Sequence, residues 1–385
     1  MRVRARIAAL AVGLTALAPL AGPAAAPAAP IAIGAYVPGH WNDPARIDAY
    51  AKRVGRMPAI VLSYKRWDVK PFYPPELRQL DRRRILPMVS WEPWDSSGEA
   101  VKLWAIARGR YDGYVRRSAR EARTWGRPLM LRFAHEMNGD WDAWGRGAVG
   151  GGSRAFVAAW RHLVTIFREE GAANVLWVWC PNANTGTLPF MQFYPGEKWV
   201  DWVGLDGFNW GGSIGWRSFS EVFAGSYEEL AARTSKPILI AETGSGEEDG
   251  DKAEWVRSAL LRELAHFDLV RAVVWFNSVD RSDFRVASSP TALAAFREGI
   301  AQPRYRGGRA ELLATAARTP SEVTEIPLPS AGYGKPSPLD ELWRKLGDRL
   351  GWALWPLIGL AAAGLVALCV LAVRAIRRRR ELAHA

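Results

Sequence analysis

Pro128-Leu129-Met130-Leu131-Arg132-Phe133-Ala134-His135-Glu136-Met137-Asn138-Gly139 joins a short apolar run to a polar one. The apolar half has the length and composition of a strand buried on both faces. The polar half delivers Arg132, His135, Glu136 and Asn138 within seven positions, and Trp141 and Trp144 follow in a loop-like stretch. Taking that many polar groups out of water is unfavourable unless they line a site. A second stretch repeats the design. Lys236-Pro237-Ile238-Leu239-Ile240-Ala241 is strand-like and ends in Glu242, followed by Thr243-Gly244-Ser245.

Outward from these two stretches, similar runs recur at regular spacing. They predict strands near Ile31–Val37, Ala59–Ser63, Ile85–Ser90, Leu129–Phe133, Val175–Trp179, Trp202–Leu205, Ile238–Ala241 and Ala272–Phe276. Helical periodicity falls between them, over Pro44–Val54, Tyr111–Trp125, Ser153–Glu170, Ser220–Arg233, Asp251–Phe267 and Pro290–Ile300, with Pro75–Arg84 as the candidate between the second and third strands. Alternation of this kind predicts an α/β fold, a (β/α)8 TIM barrel over residues 31–301. Working residues of such a barrel sit at the C-terminal ends of its strands. Those ends are loaded: Trp91-Glu92-Pro93-Trp94 on the third, His135-Glu136 on the fourth, Pro181-Asn182-Ala183-Asn184 on the fifth, Asp206-Gly207-Phe208-Asn209-Trp210 on the sixth, Glu242 on the seventh and Trp275-Phe276-Asn277-Ser278 on the eighth.

Composition narrows the chemistry. The chain has 20 Trp, and Trp141, Trp144, Trp210 and Trp216 lie beside Gly, Asn or Asp, poor company for a core. Flat aromatic faces stack on sugar rings. Two strand-end carboxylates far apart in sequence, Glu136 and Glu242, point to glycoside hydrolysis, with structural ion pairing as the bland alternative. The net charge is +12, of which three units lie in residues 1–26 and four in 374–385, leaving five for the body. That surface gives no reason to expect nucleic acid as a partner. The five His are not spaced as ligand pairs, so no metal is expected. Cys180 and Cys369 lie in separate apolar runs, and no disulfide is expected.

The ends read as export and anchoring signals. Arg2, Arg4 and Arg6, an apolar stretch from Ile7 and Ala24-Ala25-Ala26 fit a secretory signal over residues 1–26. Residues 302–350 read as a Pro/Gly-rich linker followed by a juxtamembrane segment. Trp352–Val373 has no charged residue and is long enough to span a bilayer as a helix. Five Arg follow in the tail 374–385. By the positive-inside rule the tail is cytoplasmic and the barrel lies outside the cytoplasmic membrane of a bacterial-type cell.

Three motifs in order carry a family resemblance over roughly residues 31–300. Arg132-x-x-His135-Glu136-Met137-Asn138-Gly139-x-Trp141, Val200-Asp201-Trp202-Val203-Gly204-Leu205-Asp206-Gly207 and Pro237-Ile238-Leu239-Ile240-Ala241-Glu242 resemble the fourth, sixth and seventh strands of glycoside hydrolase family 26, a β-mannanase-type retaining family. The resemblance implies that Glu136 is the general acid/base and Glu242 the nucleophile. It implies that Arg132 and His135 hold the site, that Trp141 stacks on the leaving-group side, and that Trp275 floors the subsite where the bond is cut. Asn138, Glu92, Asp206 and Phe208 complete the expected substrate-binding set, with Asp206 supporting the rim by hydrogen bonding ahead of binding sugar, and no cofactor is implied. Glu92 is either a third site carboxylate or a partner for a nearby Arg. The chain departs from the family twice. Phe208 stands where the family has a Tyr whose hydroxyl touches the nucleophile, and Trp91-Glu92-Pro93-Trp94 differs from the His-bearing third strand of mannan-cleaving members. The expected activity is endo-cleavage of a β-linked polysaccharide, β-1,4-mannan first and mixed-linkage β-glucan or an exopolysaccharide second. A non-catalytic polysaccharide-binding barrel is the reading of a different class, and retention of both Glu weighs against it.

Overall fold

The computed structural model describes residues 29–145, 152–183 and 188–317. The expected signal, the later part of the expected linker, the apolar span 352–373 and the basic tail lie outside the described residues. Among the described residues no helix is long and apolar enough to cross a membrane.

Eight parallel strands close into a barrel: β1 Ala32–Tyr36, β2 Ile60–Arg66, β3 Leu86–Glu92, β4 Leu129–Phe133, β5 Val175–Trp179, β6 Trp202–Asn209, β7 Ile238–Ser245 and β8 Val270–Phe276. Closure is made by β1 against β8, from Ala32 opposite Ala272 to Tyr36 opposite Phe276. Side chains alternate along each strand. Ile60, Leu62, Met88, Met130, Val178, Trp202, Leu239 and Val274 fill the barrel interior. Their neighbours Val89, Leu131, Trp177, Val203, Ile240 and Val273 pack outward in the helical layer. The predicted bounds of β4 and β5 match the structure. β2, β3, β6 and β7 run two to four residues past theirs, because strand pairing continues above the apolar layers into polar side chains that line the mouth.

The helices are α1 Ala45–Val54, α2 Pro74–Arg82, α3 Leu103–Ala107, α4 Asp112–Trp125, α5 Gly152–Glu169, α6 Phe219–Ala231, α7 Lys252–Arg257, α8 Pro290–Ile300 and α9 Arg309–Ala317. Their starts follow from local chemistry. Ser218 and Glu221 form a reciprocal capping box on α6, and Ser289 caps α8 with Pro290 in its first turn. The single helix expected over Asp251–Phe267 is broken. α7 gives way to a wide π turn over Ser258–Arg262 and a 3-10 turn over Glu263–His266. Carbonyls in this broken stretch find partners outside it: Leu260 O accepts from the Tyr305 hydroxyl at 2.5 Å, and Leu264 O from Arg304 Nη2 at 2.8 Å.

The barrel also extends past residue 301, so the first part of the stretch read as linker is packed structure. The Ile31 amide donates to Arg304 O and Gly307 bridges Ala32, at the foot of β1. Leu312 of α9 is buried with Ala32, Ile60, Leu86 and Ala272 and closes the floor of the barrel. A Cβ on Gly307 would sit 2.6 Å from the Ile31 backbone, so only glycine permits this approach.

Candidate active site

Side chains that face inward at the C-terminal ends of the strands build the site in rungs. Tyr64, Ser90 and Arg132 are register partners across β2, β3 and β4, and Asp206 is the register partner of Glu242 across β6 and β7. Strict alternation from Leu239 would aim Ala241 inward and Glu242 outward. The register shifts here: Leu205 is opposite Ile240 but Asp206 is opposite Glu242, so Ala241 is the extra residue of a bulge. The bulge turns the Glu242 carboxylate into the barrel.

Arg132 fastens this floor. It is 0 % exposed, as is Asp206. Its Nη1 donates to both Asp206 oxygens, at 2.7 and 2.9 Å, its Nε donates to Ser90 Oγ at 2.7 Å, and its Nη2 donates to Glu242 Oε1. Burial opposes the guanidinium charge, but the Asp206 and Glu242 carboxylates outweigh it and hold Arg132 charged. A guanidinium shared between two carboxylates fixes their positions as well as their charge.

Glu136 is held differently. The chain after β4 turns through left-handed backbone at Ala134 (φ 45°) and Glu136 (φ 52°). Such strain persists only where the surroundings enforce it, and it gathers at functional sites. Trp141 Nε1 donates to Glu136 Oε2 at 2.5 Å and Asn182 Nδ2 donates to Oε1 at 3.0 Å. Burial and the nearby Glu242 charge push the Glu136 carboxyl up to about 7, against the pull of these two donors. Two carboxylates in contrasting environments, one gripped by a cation and one raised by burial against the pull of its neutral donors, form an arrangement that can divide acid and nucleophile roles.

Around them lie further groups. Glu92 accepts from Trp94 Nε1 at 2.9 Å, and burial raises its carboxyl to about 7. Asp142 rises to about 8 through burial and the charges of Glu136, Glu92 and Glu242. His135 is buried against Tyr64 and Trp144, and burial and Arg132 keep its imidazole neutral. Phe208 sits on the inner rim beside Trp210, Phe276 and Phe284. Trp141 is 46 % exposed, a free face beside the acid/base candidate.

Two expected substrate contacts are corrected. Trp275 points away from the site. It is 2 % exposed, packs on Trp255 and Phe296, and its indole donates to Phe284 O at 2.6 Å. The inward residue is its neighbour Phe276, stacked on Tyr36, since a shift of one position along a strand exchanges the faces. Arg132 and Asp206 lie wholly buried below the rim and bond one another, with Arg132 also bonded to Glu242, as expected of a residue that holds the site and one that supports its rim. Asn138 is also 0 % exposed, and its side chain bonds the Asn182 backbone at 3.0 and 2.9 Å. It acts through Asn182 on Glu136. Tyr36, Tyr64 and Asp142 are absent from the expected set, and Asn182 enters it only as part of the loaded end of the fifth strand. Tyr64 was within reach of sequence reasoning, because it continues the inward alternation Ile60, Leu62.

Comparison with known proteins agrees with this geometry. The profile of Glycosyl hydrolase family 26 matches residues 112–244, which run from α4 through β4 to Gly244 of β7. The chain is 37 % identical over 281 residues to endoglucanase H of Acetivibrio thermocellus, covering 70 % of this chain and 30 % of that protein. It is 31 % identical over 155 residues to a mannan endo-1,4-beta-mannosidase of Bacillus subtilis, covering 39 % of this chain and 38 % of that one. The chain thus spans well under half the length of these relatives. Among solved structures, a Cellulomonas fimi endo-beta-1,4-mannanase double mutant superposes with TM-score 0.56 at 20 % identity, covering 75 % of this chain and 74 % of that one. A GH26 beta-mannanase of Bacteroides ovatus does so at 0.53 and 18 %, covering 71 % and 89 %. These two likenesses establish the barrel fold. With a family profile centred on the strands that carry Arg132, Glu136, Asp206 and Glu242, this chain belongs to glycosyl hydrolase family 26.

Proposed function

We propose that the barrel is a retaining endo-β-glycanase. The observation that carries this is the contrast between Glu136, held up to about 7 by burial and Glu242, and Glu242, gripped by the Arg132 guanidinium. In this reading Glu136 protonates the departing glycosidic oxygen while Glu242 attacks the anomeric carbon. Glu136, now ionised, takes a proton from water, and that water releases the sugar from Glu242 with retained configuration. Trp141, exposed beside Glu136, offers its face to the leaving sugar. In an endo mode an internal segment of a polymer crosses the rim beside the exposed Trp141.

For the substrate, a β-glucan is placed ahead of β-1,4-mannan. Two observations support that order: the 281-residue match to endoglucanase H against 155 residues for the mannosidase, and Trp94 bonded to Glu92 on the third strand. The test is the full chain on mixed-linkage β-glucan, cellulose derivatives and mannan, with the product anomer followed by NMR. Oligosaccharides released first as the β-anomer are expected. Release of the α-anomer would overturn the double displacement, and silence on every β-glycan would favour a binding role. By the same reading residues 352–373 anchor the chain with the barrel outside the cytoplasmic membrane. A chain ending at residue 338 should then leave the membrane fraction.

A further inference from the structure

Tyr64 is an inward residue of β2, and its hydroxyl is buried without a partner in hydrogen-bond geometry. A buried hydroxyl left unpaired is costly and calls for a use. The ring is fixed on three sides. Tyr36 meets it edge-on at 5.0 Å, His135 lies at 5.8 Å, and the Arg132 guanidinium sits over its face at 5.9 Å. Tyr64 stands level with Ser90 and Arg132 in the register. The groups that face it are Tyr36 of β1, Arg132 and His135 of the β4 end, Asp206 of β6 and Glu242 of β7. Asp206 already receives Arg132 and the Cys180 thiol. Arg132 takes Oε1 of Glu242, so a second donor has Oε2 to bond. Phe208 carries no hydroxyl and packs into the aromatic cluster of Phe276 and Phe284.

We propose that Tyr64 is the positioning residue of the nucleophile: its hydroxyl donates to the second oxygen of Glu242 and holds that carboxylate in line with the anomeric carbon. This rests on the retaining reading above. The proton stays on Tyr64 throughout. The bond weakens as Glu242 becomes an ester of the sugar and re-forms as the carboxylate is released. Apo geometry of this kind tightens when substrate fills the cleft.

The test uses the full chain and two readouts. In kinetics, Tyr64→Phe should lower kcat about 10- to 100-fold with KM within about twofold, the scale of one hydrogen bond to a charged group. It should also move the acid limb of the kcat/KM profile upward by about one pH unit, since removing a donor to a carboxylate raises its pKa. Packing loss alone would leave that limb in place. A variant within twofold of wild type and with an unmoved acid limb overturns the proposal. The second readout needs no turnover. With tyrosines 13C-labelled at Cζ, and Tyr64 assigned by its loss in Tyr64→Phe, its signal should follow a carboxylate titration that disappears in Glu242→Gln. If wild type cleaves no glycan, the retaining reading fails and this signal alone decides the contact: a Tyr64 resonance flat through the carboxylate range overturns it.

Discussion

On the proposed retaining mechanism Glu136 and Glu242 should fail differently when removed, because they act at different moments. Glu242→Ala is expected to be inactive on every substrate, since no glycosyl ester can form. Glu136→Ala should retain its first step on dinitrophenyl glycosides, whose leaving group needs no proton, and should regain turnover in azide with retained configuration. Equal loss on activated and natural substrates would contradict the acid/base role. The raised carboxyl of Glu136 also sets an alkaline limit. Activity should fall as pH rises through about 7, where the acid loses its proton. The motif around Glu136 was plain from residue types alone. Asn138 reads as a sugar contact in the sequence because residue type does not tell how deep a side chain lies, and here it is wholly buried on the Asn182 backbone. Arg132 bonds Ser90 and Asp206 below the rim, whereas Trp141 beside Glu136 meets solvent.

Two short elements decide where the carboxylates point. The bulge at Ala241 reverses the alternation of β7, and no residue type announces it. The eighth strand shows the same blindness, with Trp275 taken for the floor of the site when Phe276 holds the inward place. The second element is the turn after β4. A Cβ on Gly139 would overlap the Trp141 ring, so glycine lets the indole fold back onto Glu136. Gly139→Ala should push Trp141 off the carboxylate and cut kcat about tenfold or more, the order of one lost charge-assisted bond. Its unfolding temperature should stay close to wild type, because Trp141 is on the surface; a large drop would mean the turn itself had collapsed. α7 illustrates a further limit. Its apolar period runs on through Phe267, yet the helix opens where Tyr305 and Arg304 reach its carbonyls, and partners so far along the chain are invisible to a local pattern.

Across the whole barrel, pH and length should both report on stability. A carboxyl raised by the fold binds its proton more tightly folded than unfolded, so its contribution is lost as pH rises. Glu92 and Glu136 move from 4.5 to about 7, and Asp142 from 3.8 to about 8. Stability should therefore decline between about pH 5 and pH 8. Glu76 works in the other direction. Its burial is outweighed by His40, Lys65 and Ser63, which hold it at about 2. Its contribution is present above 4.5 and lost as pH falls toward about 2. Thermal unfolding should peak near pH 5, and the paired change Glu92→Gln with Asp142→Asn should flatten the neutral side. A curve that climbs from pH 5 to 8 would contradict the burial of these carboxyls. Chain length gives the other test. Ending the chain after residue 301 removes Tyr305 and Leu312, each fully or nearly fully buried. That should cost about 3–6 kcal/mol, whereas a chain ending after Ala317 should unfold like the whole barrel. Gly/Pro content misled the sequence reading here, because a segment that seals a barrel floor in short turns has the composition of a tether.

The sealed floor has a practical side. The strand that opens the barrel and the helix that closes it both meet at Ala32, where Gly307 bridges β1. A bead, a dye or a carrier protein joined beside Pro30 or after Ala317 would hang from the blind end of the vessel, and a long polymer could still thread across its open lip.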